Sequence, residues 1–193
     1  MNNILINKIY TVFTSSIALT ETEQIKLKYI LEVLVNELIK LLLMLVFFTS
    51  LGYGSAFIFC FITLMIIRPM TGGFHMKGFW SCFVFSFSFF SLCILIAHFI
   101  SLSYILQLCL FVFSMLVYGF FAPVIPKQRP KYPPDKMLRS KIISLVIIIL
   151  YFLIFNLYGG SFLRHGIWVI VFQAVQLLIS LGGTHYEIKQ KIN

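Results

Sequence analysis

Apolar residues run in long blocks along this chain, and the polar breaks between them are of two kinds. The blocks fall at roughly 34–51, 52–67, 80–100, 103–125, 142–158 and 162–181. Each is near the ~17–20 residues an α-helix needs to cross bilayer hydrocarbon. Three breaks are short and poor in charge: Gly52-Tyr53-Gly54, Ser101-Leu102-Ser103, and Tyr158-Gly159-Gly160-Ser161 with Arg164 and His165 just beyond. The others are basic. Arg68 and Lys77 fill one; Lys127, Arg129, Lys131, Lys136, Arg139 and Lys141 fill the next. With Lys8, Lys26 and Lys28 at the start and Lys189 and Lys191 at the end, thirteen of the fifteen Lys and Arg fall on one side of an alternating topology. An excess of Lys and Arg marks the cytosolic side. The pattern predicts an all-α integral membrane protein, a single domain over 1–193. It has about six transmembrane helices, or four plus re-entrant segments, and both termini are cytosolic.

Local signals refine the boundaries. Thr20-Glu21-Thr22-Glu23 fits a capping box and predicts a helix that begins there, in water or headgroups, and runs past Glu32 into the apolar stretch 38–51. Before it, Ile4, Leu5, Ile9, Val12 and Phe13 recur at roughly helical spacing. Residues 1–20 thus read either as an interfacial amphipathic helix or as a short cytosolic lead-in. The segment 122–141 holds five of the six Pro and six basic residues, which predicts a stiff, extended cytosolic loop.

Composition sharpens the class. The 193 residues are 60% hydrophobic and 11% charged, against roughly 25% charged in soluble domains. One soluble core of this size could not hide that much apolar surface. The net charge of +9 is explained by orientation in the bilayer, because the charges lie between apolar blocks. No basic–aromatic stretch points to nucleic acid. Three of the four Cys (Cys60, Cys93 and Cys109) sit inside apolar runs, where Cys acts as a small hydrophobe. No CxxC spacing suggests a metal ribbon.

Cys82 is the exception. It lies with His75 in the polar stretch 68–82, between the second and third apolar blocks. A thiol and an imidazole are the minimum kit for nucleophilic catalysis. On one straight helix the two would be about 10 Å apart along the axis, too far to cooperate. Gly72, Gly73 and Gly78 allow the chain to bend between them. His75 is therefore expected in a loop folded over a helix that starts near Phe79, with Cys82 in that helix's first turn. There the helix dipole and backbone N–H groups favour an anion. The same stretch reads equally well as a glycine-rich turn that only joins two spans.

Arg68, Gly72-Gly73, His75 and Cys82 together resemble the accessory gene regulator B (AgrB) family of Gram-positive quorum-sensing systems: an Arg, then Gly-Gly-x-His, then Cys seven residues after the His. The stretch 32–40, the chain length and the Lys- and Pro-rich loop are also similar, so the resemblance spans nearly the whole chain. It implies a plasma-membrane cysteine endopeptidase that removes the C-terminal tail of a short AgrD-like precursor. A Cys thioester acyl-enzyme then leads to a cyclic thiolactone or lactone autoinducing peptide. Carried over, Cys82 is the nucleophile and His75 the general base and acid, with Arg68, Gly72 and Gly73 supporting the site. A homodimer is a family-level expectation. No cofactor is implied, since amide-to-thioester exchange needs neither metal nor nucleotide.

Other residues carry two readings each. Glu37 is the best-placed acid to orient His75, yet Lys40, three residues on, neutralises it equally well. Lys127, Arg129, Lys131, Lys136 and Arg139 serve as a topology signal, and would also attract the acidic tail that AgrD-type precursors carry. Gln173 and Gln176 share a helix face and are expected to hydrogen-bond between helices. His98 and His165 are expected at the opposite side from Cys82. The alternative to a peptidase is a small peptide or solute transporter without covalent chemistry. Ionisable groups deep in the spans, usual in ion-coupled carriers, are sparse here.

Overall fold

The computed structural model describes residues 20–73, 78–124 and 132–192, with side chains through Leu181. Among the described residues are six helices: α1 (Glu21–Ser50), α2 (Gly54–Thr71), α3 (Phe79–Phe99), α4 (Tyr104–Phe121), α5 (Pro134–Tyr158) and α6 (Ser161–Ile192). Helices α2 to α6 are each long and apolar enough to cross a membrane. The all-α, multi-spanning class expected from the apolar blocks is thus present. The segment 1–19, with its amphipathic reading, lies outside the described residues.

The helix starts follow from local chemistry. The Thr20 N–H and hydroxyl both donate to the Glu23 carboxylate, at 2.9 and 2.7 Å. This is the reciprocal half of the capping box expected from sequence. The two donors hold the Glu23 carboxyl below its ordinary value. The cap is therefore intact at neutral pH and is lost as pH falls through that lowered value. Helix α5 begins at Pro134, inside the segment expected to be loop through 141. Pro fits the first helical turn, where its missing N–H is not needed, and Asp135 complements the positive helix end. Lys136, Arg139 and Lys141 accordingly lie on a helix rather than on an extended linker.

The outward faces are apolar at helical spacing. On α2, Ile58, Ile62 and Ile66 form one stripe, each about half exposed; on α5, Val146, Ile149, Leu150, Leu153 and Ile154 form another. Facing water, such stripes would be strongly unfavourable; facing lipid tails they require no partner. The interior is built as two clusters. Met44, Phe48, Phe57, Cys60, Phe90, Cys93 and Ile94 join α1, α2 and α3 against Val169 of α6. Ile67, Val117, Tyr118 and Ile148 join α2, α4 and α5 against Ile170, Ala174 and Leu177 of α6. Helix α6 is the central post: 56% of its span is buried, against 17–39% for the other four spans.

Polar side chains tie this post to its neighbours. The Tyr118 hydroxyl donates to the Ile170 carbonyl at 2.9 Å, and that of Tyr151 to the Leu163 carbonyl at 2.8 Å. Interhelical hydrogen bonds in membranes are worth about 0.6 kcal/mol on average and about 1.7 at most. Tyr118→Phe is therefore expected to lower stability by no more than that range. Reversible unfolding in dodecyl sulfate, followed by circular dichroism, checks it.

The connections sort to two ends of the bundle. At one end, Tyr53 packs edge-on against His98, with ring centroids 5.6 Å apart. Phe59 of α2 meets Phe162 of α6 there, at 6.1 Å. At the other end, the chain leaving α2 meets the chain leaving α4: Val124 N–H donates to the Thr71 carbonyl at 2.9 Å, and Gly72 forms an isolated parallel bridge with Val124. Helix α3 starts beyond this second end.

Candidate functional site

Cys82 lies in the first turn of α3, its N–H bonded to the Gly78 carbonyl at 3.2 Å. Gly78 caps the helix at φ 108°. The helix start near Phe79 and the position of Cys82 agree with the sequence expectation. The thiol is half-buried, unlike those of Cys60 and Cys93, which are enclosed in the core. Its neighbour is a residue 42 positions away: Lys40 Nζ lies 3.1 Å from Cys82 Sγ.

Lys40 is 4% exposed, in the middle of α1. The same ammonium pairs with the Glu37 carboxylate one turn earlier. It also lies over the Phe79 ring, 5.9 Å from the centroid, a distance at which the ring face attracts a cation. Glu37 itself is 57% exposed and points to the rim. Arg68, half-buried near the end of α2, is within Coulombic reach of both Cys82 and Glu37. One sulfur, two cations and one carboxylate therefore converge from three helices.

These groups border an open cleft of about 240 Å³. Tyr29, Glu32, Val33, Asn36, Glu37 and Lys40 line it from α1; Gly78, Phe79 and Cys82 line it from the start of α3.

The chain entering this region is clamped. Gly72, at φ 73° and ψ −151°, adopts a conformation open essentially only to glycine. A Cβ there would sit 2.0 Å from the Val124 carbonyl oxygen. From α6, the Gln173 side-chain amide donates to Thr71 Oγ1 at 3.1 Å and to the Gly72 carbonyl at 2.8 Å. Gln173 and Gln176 also lie where a Cβ on Gly73 would touch their Nε2 atoms at 3.4 Å. The interhelical role expected for Gln173 is thus present, with the end of α2 as its partner. Gln176 is 3% exposed and also faces Gly73.

Of the residues singled out in the sequence, Arg68, Cys82 and Glu37 come together, and Gly72 and Gly73 form the clamp two residues before His75. His75, Lys127, Arg129 and Lys131 lie outside the described residues. Lys136, at the start of α5, stacks its ammonium over the Tyr132 ring at 4.1 Å, and Arg139 follows on the same helix. His98 sits at the far end of α3, about 24 Å along the axis from Cys82. His165 Nδ1 donates to the Ser161 carbonyl at 2.7 Å. Neither joins the thiol. Lys40 is the residue that sequence reasoning missed: it reads as a neutraliser of Glu37 and no more. Its signal was its position. A lysine within Leu38-Ile39-Lys40-Leu41-Leu42-Leu43 is an ionisable group inside an apolar run, and such groups mark functional sites by default.

Comparison with known proteins assigns the chain to a family. The family model for accessory gene regulator B matches residues 6–177. A protein of Clostridium beijerinckii described as a putative AgrB-like protein is 27% identical over 163 residues, covering 83% of this chain and 80% of that protein. No solved structure matches. With 6–177 matched, from before α1 to within α6, the chain belongs to the accessory gene regulator B family of membrane proteins.

Proposed function

We propose that this protein is a membrane cysteine endopeptidase that cuts the C-terminal tail from a short AgrD-like precursor and passes the remaining peptide to ring closure. The observation that carries the reading is the half-buried Cys82 thiol facing the cleft between α1 and α3, with an ammonium against its sulfur. Cys82 attacks the scissile carbonyl. His75 takes the thiol proton and returns it to the leaving nitrogen, and the tail departs. The thioester conserves acyl activation until an internal nucleophile of the peptide closes a thiolactone or lactone. A site that limits water protects that thioester from hydrolysis. In this reading the positive-inside pattern favours a cytosolic position for the cleft and both termini, in the plasma membrane of a Gram-positive bacterium, with about six spans, or four plus re-entrant segments, and, by family expectation, a homodimeric assembly.

The test uses the full chain in liposomes with a candidate precursor, followed by mass spectrometry. Tail release by the wild type, with an acyl adduct on Cys82 that hydroxylamine removes, supports the reading. Equal release by Cys82→Ala refutes it.

The basic residues 127–139 supply a second binding element for an acidic tail. Replacing Lys127, Arg129, Lys131, Lys136 and Arg139 together by Ala is expected to raise KM several-fold and to leave kcat near wild type. The wild-type KM should rise with salt, since exposed charges are screened beyond ~8–10 Å. An unchanged KM in a correctly inserted variant removes these residues from substrate binding.

A further inference from the structure

We propose that Lys40 is a catalytic group, the fixed counter-cation of the Cys82 thiolate, delivered to the nucleophile by α1. The proposal deepens the peptidase reading and rests on it. Its basis is geometric. Lys40 Nζ is 3.1 Å from Cys82 Sγ, in a side chain 4% exposed. The Glu37 contact needs only the spacing of one helix. The Cys82 contact needs α1 to be packed across the start of α3, and the Phe47–Phe87 ring contact at 4.9 Å helps to hold that packing.

The chemistry favours an anionic partner. A thiol sulfur is a weak acceptor. A buried ammonium whose neighbours are a neutral thiol and one carboxylate that is 57% exposed is poorly compensated. The same ammonium between carboxylate and thiolate is well compensated, and charge-assisted hydrogen bonds are about twice as strong as neutral ones. The Phe79 ring closes one side and keeps the cation in place. Lys40 therefore holds the nucleophile ready before any substrate arrives.

The proton balance leaves Lys40 unchanged through the cycle. The thiol proton passes to His75. The sulfur lone pair forms the S–C bond, the scissile C–N bond breaks, and the leaving nitrogen takes the proton from His75. The neutral thioester sulfur no longer holds the ammonium, which stays with Glu37. When the internal nucleophile of the peptide displaces the sulfur, its proton passes to His75 and the thiolate returns to its cation. Glu37 is thus a resting partner for Lys40 between half-reactions, a different role from orienting His75.

The experiment measures alkylation of Cys82 by iodoacetamide at pH 7 in the full-length protein, resolved by mass spectrometry, with Cys109 on α4 as internal control. It needs no precursor. Lys40→Met is expected to slow Cys82 alkylation about tenfold, because a free thiol is only a few per cent ionised at neutral pH. Lys40→Arg is expected to stay within about threefold of wild type, since the charge and donors are kept. The gap between wild type and Lys40→Met should narrow as pH rises, which a packing defect would not produce. If Lys40→Met does not insert, Glu37→Gln decides. Removing the competing carboxylate is expected to speed alkylation at least twofold, and an unchanged or slower rate overturns the proposal. Wild-type alkylation in Lys40→Met also overturns it, and does so without touching the peptidase reading. Tail release that survives Cys82→Ala ends both.

Discussion

Cys82→Ala is expected to reduce tail release on the order of 10⁴-fold or more, and adding His75→Ala to it is expected to change nothing further. In the proposed mechanism nucleophile and base act on one proton and one bond, so removing either removes the covalent route. Residues that act as a unit are grossly non-additive for this reason. A loss on the order of 10⁴-fold corresponds to roughly 5–6 kcal/mol of transition-state stabilisation. That is far more than the deletion of one half-buried sulfur would take from binding or stability. Single-turnover measurement with saturating precursor gives the comparison directly. Residual activity above one per cent in Cys82→Ala would place the bond-breaking step elsewhere. A double variant much weaker than either single variant would mean that His75 and Cys82 serve separate steps.

Gly72→Ala is expected to destabilise the folded protein by about 3 kcal/mol or more and to abolish cleavage, a larger effect than any single polar deletion in the bundle. Two costs add. The backbone at φ 73° and ψ −151° is a region closed to side chains, worth roughly 1–3 kcal/mol. The new methyl would also sit 2.0 Å from the Val124 carbonyl oxygen, forcing the chain after α4 away from the end of α2. Relief of that clash breaks the Val124–Thr71 hydrogen bond and loosens the strand that Gln173 holds. Gly52→Ala is the control. Its φ is 80°, yet a Cβ there meets nothing within 4 Å, so backbone strain alone applies and activity should survive. Unfolding midpoints of the two variants, with cleavage on the same samples, separate steric from conformational cost. Equal midpoints would refute the close approach at Val124.

Much of this protein is legible without coordinates, and the reasons are particular. The six helices follow from blocks of apolar residues that only a bilayer can accommodate, and the start of α1 from a four-residue capping box. The Gly72-Gly73 turn, the helix start at Phe79 and the position of Cys82 could be read because glycine and helix termini have local signatures. The start of α5 lies inside a segment that reads as loop, because five prolines and six basic residues in 122–141 mask the good first turn that Pro134 and Asp135 make. The Lys40–Cys82 contact lay beyond local reading. Its two residues are 42 apart and meet only because aromatic packing sets how α1 crosses α3. Similarly, nothing in the spacing of Gln173 says that its amide will find Thr71 and Gly72. Local chemistry announces where a chain bends and which residues are reactive; only packing decides which cation meets which sulfur.

The cleft between α1 and α3 is walled in part by Tyr29 and Val33 of a helix with apolar residues on its outer side. A precursor adsorbed to the same leaflet would find such an opening by diffusing in a plane, not through the volume of the cell. Confinement of this kind raises the effective concentration of enzyme and substrate for each other, much as a tether does. Turnover would then follow the surface density of precursor, so that dilution with added lipid slows the reaction even when the bulk concentrations of both partners are unchanged.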